Sequence, residues 1–243
     1  TKIELNELKQ KMLLSAPQGE AADLITTLPH DQIAELAEGG VLADMSQFAT
    51  EDYLSDLNEQ ARLAFTVNGR LFGLPMYVEG PALIVNTDLI PEGELPATYE
   101  DLIAKAQELT SGDTYGFLYD TKNFYFSYNW LRSNGGYVFN RDAEGNLVAS
   151  DIGLANEGAV AGAEMIKDLQ YEYGLIPPGT DTAVAEGLFL EGALGMIYNG
   201  PWSIANIRAA DVPVTVVPMP PTADGTTWSG FMGVQGVLMN QFS

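Results

Sequence analysis

The side chains of this sequence whose types and settings could do chemistry are carboxylates and aromatic rings. Asp31 follows Pro29-His30 where a strand-like run turns into a helix, and Glu79 stands between apolar residues and Gly80-Pro81. Trp202 closes the stretch Asn199-Gly200-Pro201-Trp202. Tyr125 and Phe126 belong to Phe124-Tyr125-Phe126-Ser127-Tyr128-Asn129-Trp130, the densest aromatic patch of the chain. A carboxylate accepts two hydrogen bonds from hydroxyl groups at once, and the C–H faces of pyranose rings pack flat on aromatic rings, so the set suits a sugar. Each residue also has a plainer use. An Asp at a helix start can cap it, Glu79 can be a solvated loop residue, and a Trp can fill the core. Glycoside hydrolysis uses the same types, with an acid and a nucleophile or base about 5–10 Å apart. An enzyme acting through Asp31 and Glu79 is therefore the alternative to a binding protein.

Other chemistries find no support. The chain has a single histidine, His30, and no cysteine, which removes disulfides and thiolate metal sites. It has no Gly-x-Gly-x-x-Gly, no phosphate loop with its Lys, and no Gly-x-Ser-x-Gly elbow, so neither cofactor nor metal is expected. A Ser/His/Asp triad could use only His30, and nothing sets a serine beside it. Eleven Lys and Arg against 33 Asp and Glu give a formal charge of −22, which repels nucleic acid and anionic lipid surfaces. No window approaches the roughly 20 apolar residues that span a bilayer, and no leader pattern opens the sequence. The lack of cysteine fits an exported protein.

The elements that must hold these residues follow from periodicity and punctuation. Leu194–Tyr198 reads as a buried strand, Asn199-Gly200 breaks it, and Pro201 suits the first position of a helix, which puts Trp202 at a strand-to-helix corner. In open α/β sheets such corners, at the carboxyl ends of strands, are where small ligands bind. Ala21–Leu28 reads as a strand turned by Pro29-His30-Asp31 into a helix from Gln32 to Glu38. Lys2–Leu5 alternates like a strand, with a short helical run at Leu8–Leu14. Thr50 is placed to cap a helix through Ala64, and Asn68-Gly69 to turn a hairpin. Pro75–Pro81 leads to a strand at Ala82–Asn86. Thr98 and Asp101 have capping-box spacing before a helix with Leu102, Ile103, Ala106 and Leu109 on one side. A strand at Tyr115–Tyr119, a polar turn at 142–146, a helix capped by Asn156, a helix at Thr182–Leu190, a strand at Val212–Val217 and a final run at Phe231–Met239 complete the reading.

Alternating strands and helices with short connections predict an α/β fold built on largely parallel sheets. The length fits two lobes. Pro- and Gly-flanked segments at Pro75–Pro81 and Trp228–Gly233 are the expected crossings, which assigns residues 1–79 with 232–243 to one lobe and 80–231 to the other.

Pro29-His30-Asp31, Glu38-Gly39-Gly40-Val41-Leu42-Ala43-Asp44, Tyr77–Asn86, Asn134-Gly135-Gly136-Tyr137, Asn199-Gly200-Pro201-Trp202 and Phe231-Met232-Gly233-Val234-Gln235-Gly236 occur in an order and spacing that resemble bacterial maltose/maltodextrin-binding proteins. These are the extracytoplasmic solute-binding components of ABC importers. The resemblance runs from end to end of the chain. It implies a two-lobe periplasmic-binding-protein-like fold with the sugar in a cleft between lobes, and a non-enzymatic role. It implies that Asp31 and Glu79 accept hydrogen bonds from glucose hydroxyls, that Tyr125, Phe126 and Trp202 stack on the rings, and that His30 belongs to the ligand-binding set. The implied partners are maltose or maltodextrin and a membrane permease. The implied location is extracytoplasmic, periplasmic or lipid-anchored at the cell surface. The sequence departs from the family pattern at Leu28, Gln32 and Asn123.

Relative to that family the chain reads as truncated at both ends, with a strand before Lys2 missing from the interior of the first lobe's sheet. The expected remedies are direct re-pairing of Lys2–Leu5 with Asp23–Leu28, a strand-swapped dimer, or a complementing fragment.

Overall fold

A computed structural model describes residues 5–142 and 147–243. The expected strand at Lys2–Leu5 lies outside these residues except for Leu5, which instead opens helix α1 (Leu5–Ser15). Within α1, Leu8 and Met12 share helical spacing, and Met12 is buried. The polar turn expected at 142–146 also falls outside the described residues, apart from Asp142. The described chain divides into two compact units, one reaching Glu79 and resuming at Met232–Ser243, the other Gly80–Phe231.

In the first unit α1 is followed by β1 (Leu24–Pro29) and α2 (Ile33–Glu38), with one 3-10 turn, His30–Gln32, between them. Thr50 caps a helix as its position predicts, accepting from the Tyr53 N–H. That helix, α3 (Glu51–Ser55), is short, because Asn58 caps a second one, α4 (Glu59–Ala64), by accepting from the Gln60 N–H. Strands β2 (Thr66–Val67) and β3 (Arg70–Leu71) form the expected hairpin, turned by Asn68 and Gly69 at φ 50° and 76°. β4 (Leu74–Glu79) then runs to the unit's edge.

The second unit begins with β5 (Ala82–Asn86) and α5 (Tyr99–Leu109), whose capping box uses Thr98 and Asp101. Next come β6 (Tyr115–Leu118), α6 (Phe124–Ser133), and the pair β7 (Asn140–Arg141) and β8 (Leu147–Val148). α7 (Glu157–Tyr171), α8 (Thr182–Leu190), β9 (Leu194–Asn199), α9 (Ile204–Ala209) and β10 (Val214–Val217) follow. Asn156 caps α7 by accepting from the Ala159 N–H. The chain closes the first unit with β11 (Gly233–Met239).

The sheets are not largely parallel. In the first unit the order is β1-β11-β4 with both pairs antiparallel, and in the second it is β10-β5-β9-β6 with only β6 and β9 parallel. The cause in the first unit is where the chain returns. Gly233 pairs with Glu79, so β11 starts beside the end of β4 and runs back along it. Among the described residues β1 pairs with β11 alone and forms one edge of this sheet.

Each unit has its own core. In the first, Ile25, Leu28, Ile33, Leu36, Phe65, Val234 and Leu238 pack together. In the second, the sheet residues Leu83, Phe117, Met196 and Ile197 meet the helix residues Leu102, Trp130, Leu169 and Phe189. Each large apolar side chain so buried contributes roughly 1.5–3 kcal/mol relative to exposure. Among the described residues no helix is long and apolar enough to cross a membrane.

Candidate functional site

The ring residues of the second unit meet because β6 and β9 are parallel. The chain leaves both strands at the same end of the sheet, so the start of α6 after β6 and the turn after β9 lie side by side. Asn199 is 2% exposed and fixes that turn from both sides of its amide. Its Nδ2 donates to Glu186 Oε1 at 2.8 Å, and its Oδ1 accepts from the Gly200 N–H at 2.8 Å. A Cβ on Gly200 would stand 2.2 Å from Cη2 and Cζ3 of Trp202, so the indole lies directly on the Gly200 backbone and no larger residue leaves room for it. Pro201 starts the 3-10 turn, and Ser203 Oγ donates to the Gly200 carbonyl at 2.8 Å. The Asn-Gly-Pro-Trp stretch is thus a mount for one ring.

That ring does not fill the core. Trp202 is 44% exposed. Its centroid is 6.1 Å from Tyr125 and 6.3 Å from Phe126, at 56° and 48°, which makes an angular corner of three rings. Asn123, where the sequence departs from the family pattern, caps α6 by accepting from the Tyr125 N–H at 3.1 Å and so sets the first turn that carries Tyr125. Phe126 is 4% exposed and backs the corner from the core side, in contact with Tyr198 as well. Phe231, absent from the expected set, stacks on Tyr128 at 4.0 Å and 17° and lies 6.1 Å from Tyr125 at 20°. Within the aromatic 124–130 run, helix geometry sends Trp130 inward and Phe124 outward.

Behind Tyr198 the same unit holds a cavity of about 370 Å³ bordered by Asn129, Met219, Trp228 and Phe231, which Tyr125, Phe126 and Trp202 do not line. Burial pushes the Tyr198 hydroxyl well above its ordinary pKa, keeping it protonated.

The first unit gathers the other expected residues at one end of its sheet. Pro29 pairs with Gln235, His30 and Asp31 follow it, and Gly233 pairs with Glu79, so both carboxylates belong to the strand ends flanking the start of β11. Those strand ends are about 10 Å apart, twice the ordinary strand spacing. His30 is half-buried, and its Nδ1 accepts from the Val234 N–H at 3.2 Å, which puts the proton of the neutral ring on Nε2. Asp31 is exposed. Glu79 is half-buried and its Oε1 accepts from Gln235 Nε2 at 2.8 Å. Tyr77, two residues before Glu79 and so on the same face of β4, is 44% exposed. Partial burial, and then the Glu79 charge, raise its hydroxyl pKa. Gln235 was missed although its signal was present, a lone amide inside the apolar run Gly233–Met239.

Two β-bulges bend this end of the sheet. The register slips between Thr26 and Leu28 on β1, leaving Thr27 at φ 59°, and again beside Gln235-Gly236 where β4 is opposite. Bulges re-aim the residues beyond them, here Pro29–Asp31 and Tyr77–Glu79. Leu28 itself is fully buried, a core residue. Among the described residues no group of His, Asp and Glu could hold a metal ion.

The chain is similar along its length to several sugar-binding proteins. The maltotriose-binding protein of Thermus thermophilus, solved with maltotriose bound, is 42% identical with a TM-score of 0.91, and the match covers 100% of this chain and 64% of that one. A cyclo/maltodextrin-binding protein solved with maltotetraose is 31% identical with a TM-score of 0.86, covering 100% and 62%. The galactooligosaccharide-binding protein of Bacillus subtilis is 32% identical over 239 residues, covering 96% of this chain and 56% of that protein, and the maltodextrin-binding protein of the same bacterium is 30% identical, covering 99% and 57%. The chain thus spans little more than half the length of these two Bacillus relatives. The family model described as bacterial extracellular solute-binding protein matches residues 3–243, and the chain belongs to that family.

Proposed function

We propose that this chain is the sugar-recognising part of a maltodextrin-binding protein that delivers α-1,4-glucosides to an ABC importer outside the cytoplasm, and that it carries out no catalysis. The observation that carries the reading is the ring corner. Trp202 is held half-exposed on Gly200 with Tyr125 beside it, an arrangement that the core does not need and that the apolar face of a pyranose fits. Phe126 acts from behind by holding the two outer rings. Asp31 and Glu79 supply acceptors for sugar hydroxyls, and His30 offers its Nε2–H. The likeness to proteins solved with maltotriose and maltotetraose supports the glucoside assignment.

Cleavage through Asp31 and Glu79 fits less well. A glycosidase keeps its proton-donating carboxyl in an apolar pocket, whereas Asp31 faces solvent and Glu79 sits beside an amide.

Titration of tryptophan fluorescence with maltotriose, beside a galacto-oligosaccharide of equal length, tests the proposal. Saturation by maltotriose with a weaker response to the galactoside is expected. No response from a chain with a folded CD spectrum would overturn it, and preferential saturation by the galactoside would move the assignment toward the Bacillus galactooligosaccharide-binding relative. Release of glucose from a chromogenic maltoside, lost in Glu79→Gln, would reinstate the enzyme.

A further inference from the structure

Gln235 occupies a place in β11 that the fold alone would fill with an apolar side chain. It is 9% exposed, between the fully buried Val234 and Leu238. Its Nε2 donates to Glu79 Oε1 at 2.8 Å. A carboxylate only accepts, so the NH₂ end must face Glu79 and the amide oxygen must face away. Among the described residues no donor reaches that buried oxygen. A buried amide with its acceptor unmet is less stable than an apolar side chain of similar volume. Stability of the sheet therefore gives no reason for Gln235.

Its relation to Glu79 does. In the β11–β4 register Gln235 is opposite Tyr77, and Gly233 is opposite Glu79, so Gln235 reaches diagonally across the shared face to the carboxylate. The glycine opposite Glu79 has no side chain to hold it. A glutamate carboxylate otherwise rotates broadly about its last torsion, and that freedom would have to be lost when a ligand binds. We propose that Gln235 is a positioning residue for Glu79: its N–H pins one carboxylate oxygen and so gives the other a fixed direction for a sugar hydroxyl. The inference rests on the reading of Glu79 as a ligand acceptor.

The test measures maltotriose affinity and melting temperature for Gln235→Leu in the intact chain, alone and combined with Glu79→Ala. Gln235→Leu should weaken binding about 5–10-fold, the scale of one hydrogen bond's geometry, with an unchanged or raised melting temperature. On the Glu79→Ala background it should change affinity less than about 2-fold, since coupled residues are not additive. Gln235→Glu gives a signature that a merely structural role would not. Two carboxylates then meet, binding at neutral pH falls below that of Gln235→Leu, and it recovers on acidification as a shared proton restores the bond. If Gln235→Leu does not fold, Gln235→Met replaces it. Unchanged affinity in Gln235→Leu, or an equal loss with and without Glu79, would overturn the inference while wild-type binding stands. Absence of wild-type binding would instead overturn the reading of Glu79 beneath it.

Discussion

In the Gly80–Phe231 unit the candidate contacts are rings continuous with the core, whereas in the unit closed by β11 they are polar groups fixed on strand ends. Trp202 leans on Phe126, Phe126 on Tyr198, and Tyr198 on Trp130, which stacks on Tyr119 at 4.5 Å and 3°. The first unit's core has only Phe65 and Phe72 as buried rings among the described residues, and its Glu79 and His30 are held by single hydrogen bonds to β11. Packing fixes a ring through many weak contacts spread over a large area. A hydrogen bond fixes a carboxylate through one directional contact. Damage to the ring chain should therefore spread through its unit, while damage to the polar set should stay local.

The largest expected effect breaks the first half of that contrast. Trp130 is fully buried and donates from Nε1 to the Tyr99 hydroxyl at 3.2 Å. Trp130→Ala should destabilise the second unit by about 3–5 kcal/mol. Hydrogen exchange is expected to rise in β5, β6 and β9 while β1, β4 and β11 keep their protection. A uniform rise in both units would mean that their cores unfold together and would remove the distinction.

Smaller effects should appear at the ring that the solvent reaches. Trp202→Ala should lower maltotriose affinity by about 2–3 kcal/mol, the size of an interface hot spot, with little change in melting temperature because the ring is 44% exposed. Gly200→Ala keeps the indole but puts a methyl group where Cη2 and Cζ3 now lie. Displacing the ring should cost about 1.5 kcal/mol of affinity, roughly tenfold, and alter the near-UV CD of Trp202. If Gly200→Ala binds as the wild type does, the mount is not what orients Trp202.

How much of this was legible beforehand differs by unit for the same reason. Local signals were read correctly where the answer is local: the Asn68-Gly69 turn, the Thr98/Asp101 box and the Asn156 cap all form as their residue types dictate. The single helix expected from Thr50 to Ala64 breaks at Asn58, a second cap whose signal was there to be read. Strand order was not legible, because the antiparallel placement of β11 depends on where a chain returning from 152 residues away enters the sheet. Nor could the sequence decide whether Trp202 is core or surface, since that depends on the indole seat provided by Gly200. The candidate residues Asp31, Glu79, Tyr125 and Trp202 were visible as types. Gln235 stood out as a lone amide in an apolar run, but its role did not, because its partner, Glu79, is 156 positions away.

The polar side of the comparison is sharpened by Asp44 in the first unit. Its carboxylate accepts from the Ser46 N–H at 2.9 Å and from Arg70 Nε at 2.9 Å. Bonds from the Ser46 side chain, the Ser46 backbone and Arg70, in that order, bring its pKa from 3.8 down to about 2. The folded value lies below the unfolded one, so the stabilisation is present above pH 3.8 and disappears as pH falls through about 2. With the side chain 34% exposed, solvent screening leaves about 1 kcal/mol. Asp44→Asn should lose that amount at neutral pH and match the wild type near pH 2, with exchange altered around Asp44 and Arg70 but not in β5 or β9. A shift that spreads to the second unit would contradict the local character of the polar set.

The smallest effect concerns the bulge that aims Asp31. Thr27 sits at φ 59°, where a Cβ crowds the following carbonyl and a β-branched residue is strained by roughly 1–2 kcal/mol. Glycine relieves that strain, but its unfolded chain has more freedom to lose, about 0.4–1 kcal/mol. Thr27→Gly should therefore stabilise the first unit by a net of about 0.5–1 kcal/mol, seen as a small rise in denaturant midpoint without a change in slope. The register of β1 beyond the bulge, Leu28 with Gly236 and Pro29 with Gln235, stays as it is, so maltotriose affinity should not move. Removing Thr27 altogether is the counter-test. Without the extra residue Leu28 still meets Gly236 and Pro29 still meets Gln235, but the bend and added twist of the bulge are lost, so the turn bearing His30 and Asp31 is re-aimed and affinity should fall while the second unit's rings remain in place. Equal affinity in the deletion and in Thr27→Gly would show that the turn bearing Asp31 is aimed by something other than the bulge.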